Sequence, residues 1–156
     1  MASAVKPIPE GYHSVTPYLI VKDGARAIDF YARVFDAREL FRMKRPDGRV
    51  GHAELEIGDS RVMLADEHPE IGARSPQSIG GSPVTIHLYV EDVDATVARA
   101  VAAGAQLTRP VADQFYGDRI GGLTDPFGHV WFVATHTEDV PTEELERRAA
   151  AQHQRA

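Results

Sequence analysis

The sequence contains no cysteine, which excludes disulfides, thiolate nucleophiles and sulfur-ligated metal sites. Any metal would have to be held by nitrogen or oxygen. No basic run occurs, and 17 Lys and Arg stand against 23 Asp and Glu for a formal net charge of -6. Nucleic-acid affinity depends chiefly on lysine and arginine neutralising phosphates, so a nucleic-acid partner is not expected. No stretch is apolar enough to span a bilayer, and residues 1–11 hold two prolines without an apolar run of signal-peptide length. The expected location is the cytoplasm, with no membrane partner. Staples are not needed either, because a chain of 156 residues can bury roughly 70% of its unfolded surface.

What is present is a repeat. Thr16-Pro-Tyr-Leu-Ile-Val-Lys-Asp23 aligns with Thr85-Ile-His-Leu-Tyr-Val-Glu-Asp92, identical at the first, fourth, sixth and eighth positions. Arg49-Val-Gly51 aligns further on with Arg119-Ile-Gly121, and Gly58 with Gly128. Self-similarity that keeps its strand and helix patterns in one order marks two copies of one supersecondary unit.

Each copy reads as strand, helix and three strands. In the first, residues 14–21 alternate, Asp23 is placed to cap a helix, and Ala27, Ile28, Tyr31, Val34 and Phe35 share one helical face opposite Arg26, Asp29 and Arg33. Strands are expected near 38–44, 49–57 and 61–65, with turns at Pro46-Asp-Gly48 and Gly58-Asp59. In the second, a strand over 84–90 leads to a helix capped by Asp92 and closed by Gly104, with Val93, Val97, Ala100 and Val101 on its apolar face. Asp36 takes the place of Gly104 in the first copy, as a residue that tolerates a left-handed turn. Strands near 106–111, 117–124 and 129–135 complete the unit. The expected organisation is an extension over 1–13, a first module over 14–66, a linker over 67–83, a second module over 84–136, and a helix-prone tail over 137–156.

Alternation on the strand from Val84 puts Ile86, Leu88 and Val90 on the helix side and Thr85, His87 and Tyr89 on the other. An aromatic and imidazole face suits a cupped, partly dry surface rather than a flat solvated one. His52 and Glu54 alternate on one strand, point to one face, and could join His87 if that face is the same one. Trp131 alternates to the helix side and reads as core. His129 reads as surface, and His136 as an edge cap. His13, His68 and His153 fall in loops or tails. Asp118 and Arg119 are expected to brace the turn at Asp125–Gly128 by pairing across the hairpin. Asp66 and Glu67 read as exposed carboxylates opening the linker.

The segment Tyr116-Gly-Asp-Arg-Ile-Gly-Gly-Leu-Thr-Asp-Pro-Phe-Gly-His-Val-Trp131, with Asp-Pro-Phe-Gly before the last strand, resembles the vicinal-oxygen-chelate superfamily, in particular its PhnB-like, glyoxalase/bleomycin-resistance arm. The resemblance covers about residues 13–136 and implies an α+β fold in which two tandem βαβββ modules form a curled mixed sheet around a cleft, with Thr16, Tyr18, His52, Glu54, Met63, Thr85, His87, Tyr89, Tyr116, Arg119 and Phe132 as its expected lining. It also implies four metal-ligand positions, which fall on Thr16, Met63 or its neighbour Leu64, Thr85 and Phe132. A hydroxyl, a thioether and a phenyl ring are not ligands for Mn²⁺, Ni²⁺ or Zn²⁺, so no metal or other cofactor is expected there. Two functions follow. One is a metal-free protein that binds an aromatic or apolar small molecule, as resistance-type relatives do. The other is a lyase, isomerase or dioxygenase with a displaced metal or acid–base site at His52, Glu54 and His87. A scaffold without a pocket, built for partner binding, is a third reading. A homodimer is expected, because it would close exposed sheet edges.

Overall fold

The computed structural model describes residues 4–155, and the chain divides between Ser82 and Pro83 into two compact units. The first holds β1 (Tyr18–Val21), α1 (Gly24–Phe35), β2 (Arg38–Lys44), β3 (Val50–Ile57) and β4 (Ser60–Asp66), then a 3₁₀ turn (Pro69–Ile71) and the short α2 (Pro76–Ile79). The second holds β5 (Thr85–Tyr89), α3 (Val93–Ala102), β6 (Gln106–Asp113), β7 (Asp118–Thr124), β8 (Val130–His136) and α4 (Thr142–His153). The repeat is therefore real at the level of topology: the sheets run β1-β4-β3-β2 and β5-β8-β7-β6, each with one parallel pair and two antiparallel pairs.

Local chemistry explains the element ends. Asp23 accepts from Arg26 N at 3.1 Å and Asp92 from Ala95 N at 3.0 Å, each occupying an otherwise orphan donor of its helix. Asp36 ends α1 at φ 54° and is the one non-glycine residue in the left-handed region among those described. Gly104, its counterpart, has φ 106°. The first strand is shorter than its alternation predicts, because Tyr18 is the first residue to pair with β4. Met63 N instead bonds the Pro17 carbonyl at 2.9 Å.

Each helix covers one face of its own sheet. Under α1, Val21, Ala27, Tyr31, Val34, Val50, Ala53, Leu55 and Leu64 are almost wholly buried, and the Tyr31 and Phe35 rings stack at 6.0 Å. Burying each large apolar side chain contributes about 1.5–3 kcal/mol. Phe30 joins this core although it lies off the five-residue stripe read from the sequence. Under α3 the core is Val93, Val97, Ala100, Leu123, Trp131 and Val133, whereas Val101 and Val84 are exposed.

The segment joining the units is more ordered than its Pro, Gly and Ser content suggests, and the acids that open it are not free. Asp66 is 5% exposed and accepts from Gly24 N at 2.8 Å and Val50 N at 2.7 Å, tying the start of α1 to β3. Glu67 accepts from Ser75 N at 2.8 Å, Ser75 Oγ at 2.5 Å and Ser78 Oγ, which anchors α2. These donors favour the ionised acid and hold its carboxyl at about 2. Both residues correct the reading of exposed carboxylates.

Candidate functional site

Because strand side chains alternate, the face of each sheet opposite its helix is set by register. In the first unit one row across that face is Phe41, Glu54, Met63 and Tyr18, paired strand to strand, and Met43 pairs with His52 in the next row. Tyr18 Oη lies 2.8 Å from His52 Nδ1, and His52 Nε2 lies 3.5 Å from Glu54 Oε1. The His52 ring is bracketed by Tyr18 and Phe41, with centroids at 5.5 and 6.5 Å. Tyr18, Phe41 and Met43 are each about half exposed. Thr16 lies just before β1, and its hydroxyl makes a long 3.5 Å bond to the His13 carbonyl.

Tyr12, which precedes the repeat and carries no periodic signal, joins this face. Its hydroxyl is buried close to Glu54 without meeting it in hydrogen-bond geometry, and burial together with the carboxylate pushes it up to about 12. Burial and Glu54 raise Tyr18 in the same sense. Arg61 lies over the Tyr12 ring at 5.6 Å and bonds the Gly11 carbonyl.

In the second unit the corresponding row is Arg109, Gly122, Phe132 and His87. His87 contacts Tyr89 and Phe132 at centroid distances of 4.9 and 6.4 Å, and the Arg109 guanidinium lies 5.4 Å over the Phe132 ring. Gly122 makes room for that stack: a Cβ there would sit 3.0 Å from Arg109 Cβ and 3.2 Å from Phe132 Cε1. Thr85 is exposed at the start of β5. Tyr116 packs edge to face with Phe115 at 5.2 Å in the turn before β7.

Tyr89 leads into a polar chain. Its hydroxyl donates to Asp118 Oδ2 at 2.8 Å, His136 Nδ1 meets Asp118 Oδ1 at 2.7 Å, and His136 Nε2 meets Asp139 at 2.7 Å. Burial opposes ionisation of Asp118, yet the bonds from His136 and Tyr89 outweigh it and lower its carboxyl; the same bond raises Tyr89. Arg119 does not share this surface. It stands on the helix-bearing face, bonded to Asp94 of α3 at 2.7 and 3.0 Å and to Asp113 at 3.2 Å. Asp118 and Arg119 thus point to opposite faces and do not brace the hairpin together.

The brace of that turn is Asp125. Buried, it accepts from Phe127 N at 2.9 Å, His129 N at 3.0 Å and Trp131 Nε1 at 2.9 Å, while Gly128 supplies φ 93°. The Asp-Pro-Phe-Gly stretch is a structural knot joining the turn to the core tryptophan.

A cavity of about 340 Å³ lies elsewhere in the first unit, between the β2–β3 turn and the 3₁₀ turn. None of the residues expected at the site lines it; within it Arg45 lies 3.7 Å from Asp47 and His68 3.4 Å from Glu70.

Among the described residues no group of three His, Cys, Asp or Glu side chains is arranged to hold a metal ion. The four positions at which the resemblance implies metal ligands carry a hydroxyl at Thr16 and Thr85, a thioether at Met63 (or the alkyl chain of its neighbour Leu64) and a phenyl ring at Phe132. That donor set does not fit a hard or borderline divalent cation.

Two βαβββ units, each with a helix on one sheet face and aromatic and imidazole side chains on the other, define an α+β protein of the glyoxalase type. The chain belongs to the Glyoxalase/Bleomycin resistance protein/Dioxygenase superfamily, whose sequence model matches residues 11–133. An uncharacterized protein of Mycobacterium tuberculosis is 46% identical over 142 residues, covering 89% of this chain and 84% of that one. Among solved structures, TioX from Micromonospora sp. ML1 is 32% identical with a TM-score of 0.61, covering 78% of this chain and 96% of the other. An Arabidopsis thaliana gene product is 30% identical with a TM-score of 0.63, covering 79% and 98%. A PhnB protein from Bacillus cereus, at 18% identity and a TM-score of 0.61, shares the fold.

Proposed function

We propose that the chain is a metal-independent binding protein that takes up an aromatic or apolar small molecule on its uncovered sheet faces. The observation that carries this is the group of Tyr18, Phe41 and Met43 around His52, each about half exposed and opposite the packed core. Large apolar side chains gathered on one face, with a few polar groups among them, suit the capture of a small ligand. The chemistry of Thr16, Met63, Thr85 and Phe132 supports a role that needs no metal. Native mass spectrometry of protein purified without chelator tests it. Retained organic ligand without a stoichiometric transition metal is the expected result, and one metal per chain would overturn it.

The 3.5 Å approach of His52 to Glu54 favours one alternative, an acid–base enzyme working at that pair. On that reading His52→Ala abolishes turnover; on the leading one it only weakens ligand affinity. As to assembly, β1 and β2 edge the first sheet and β5 and β6 the second, and pairing such edges favours a homodimer. Light scattering on the purified chain measures that directly. No helix among the described residues is long and apolar enough to cross a membrane, in keeping with the proposed cytoplasmic location.

A further inference from the structure

The carboxylates on the uncovered face of the first sheet are not equivalent. Glu56 is neutralised twice, by Arg38 at 2.8 Å and Arg61 at 3.3 Å. Glu54, two residues earlier and on the same face, has no lysine or arginine partner among the described residues. Its ionic neighbour is His52 at 3.5 Å, whose Nδ1 is already engaged by Tyr18. Around it stand the exposed rings of Tyr18 and Phe41 and the thioethers of Met43 and Met63.

An unneutralised carboxylate framed by aromatic faces and soft sulfur is complementary to one kind of charge. Ring faces carry the negative end of the aromatic quadrupole and attract cations. Thioethers are polarisable and adapt to irregular apolar shapes. An anionic ligand would meet repulsion from Glu54. The second sheet shows the reverse: glycine stands at Gly122 where the first has Glu54, and Arg109 stands where the first has Phe41.

We infer that the uncovered face of the first sheet selects an organic cation, an ammonium group carried on an aromatic or apolar body, with the charged nitrogen held at Glu54 and the body against Tyr18, Phe41 and Met63. This rests on the reading of that face as a ligand-binding surface and adds the sign of the charge. The neighbouring Tyr12 hydroxyl, buried without a hydrogen-bond partner, is a donor available to Glu54 or to a polar group of the ligand.

The test is an NMR titration of the full chain with benzyltrimethylammonium, benzyl alcohol and benzenesulfonate, three probes that share a ring and differ in charge. Shifts should centre on Tyr18, His52 and Met63, with the cation bound about tenfold more tightly than the alcohol and the sulfonate weakest. Glu54→Gln should erase the preference for the cation over the alcohol. Phe41→Leu should weaken the cation more than the alcohol, and preserved peak dispersion reports that both variants fold. Equal affinity for all three probes in the unmodified protein overturns the charge selectivity and leaves the binding surface standing. No shift on this face with any probe overturns the binding surface itself.

Discussion

His136 Nδ1 lies 2.7 Å from Asp118 Oδ1, joining the last residue of β8 to the first of β7. The bonds to Asp118 and Asp139 raise the imidazole above its ordinary value of 6.5. A group whose pKa rises on folding stabilises the folded state fully below its unfolded value. That contribution is lost as pH climbs through the folded value. The second unit should therefore loosen as pH rises from about 6.5, first where Asp139 ties residues 137–141 to the sheet. A histidine NMR titration of the intact protein and of Asp118→Asn checks this. His136 should titrate above 6.5 in the first and markedly lower in the second.

Asp125 holds three donors of the turn and of Trp131 at once. Asp125→Ala strands these buried groups and should cost about 2–4 kcal/mol, since each unsatisfied buried donor costs about 1–3 kcal/mol and partial relaxation recovers some. Urea unfolding followed through the single tryptophan measures it. A loss below about 0.5 kcal/mol would show that the knot is not structural.

Glu67 organises the segment between the units through Ser75 and Ser78. Its carboxyl is held at about 2, below the ordinary 4.5. A depressed value contributes stability above the unfolded pKa and loses it as pH falls through the folded one. Hydrogen exchange at Ser75 and Ser78, corrected for intrinsic rates, should show protection falling between about pH 4.5 and 2. Glu67→Gln should show the same loss at neutral pH.

Tyr18→Phe removes the 2.8 Å bond to His52 and leaves the ring in place. Because the pair is partly exposed, the stability change should stay within about 0.5 kcal/mol. The freed imidazole should lower ligand affinity about three- to tenfold on the proposed binding face. Calorimetric titration with a bound compound recovered from the purified protein, set against its thermal unfolding curve, separates the two effects.

Helix caps and turns were legible because they are local. Asp23, Asp92, Gly48, Gly104 and Gly128 act within a few residues of themselves, so sequence spacing carries their physics. Asp66 and Asp125 look like ordinary loop acids until the groups they bond are known. Gly24 lies 42 residues from Asp66, and no local signal joins them. Tyr12 and Arg109 were missed for the same reason: one precedes the repeat and the other sits in a strand with little apolar alternation, and each reaches the uncovered face through packing or register alone.

The sequence by itself determined that two like units exist and in what order their strands and helices fall. Repetition and periodicity are properties of the chain read in order. Only the tertiary structure decided which charges are cancelled. Glu54 and Glu56 look alike in Glu54-Leu-Glu56, yet strand pairing brings Arg38 and Arg61 to one and leaves the other among rings. Neutralisation depends on distances of a few ångströms between residues far apart in the chain, and folding sets those distances.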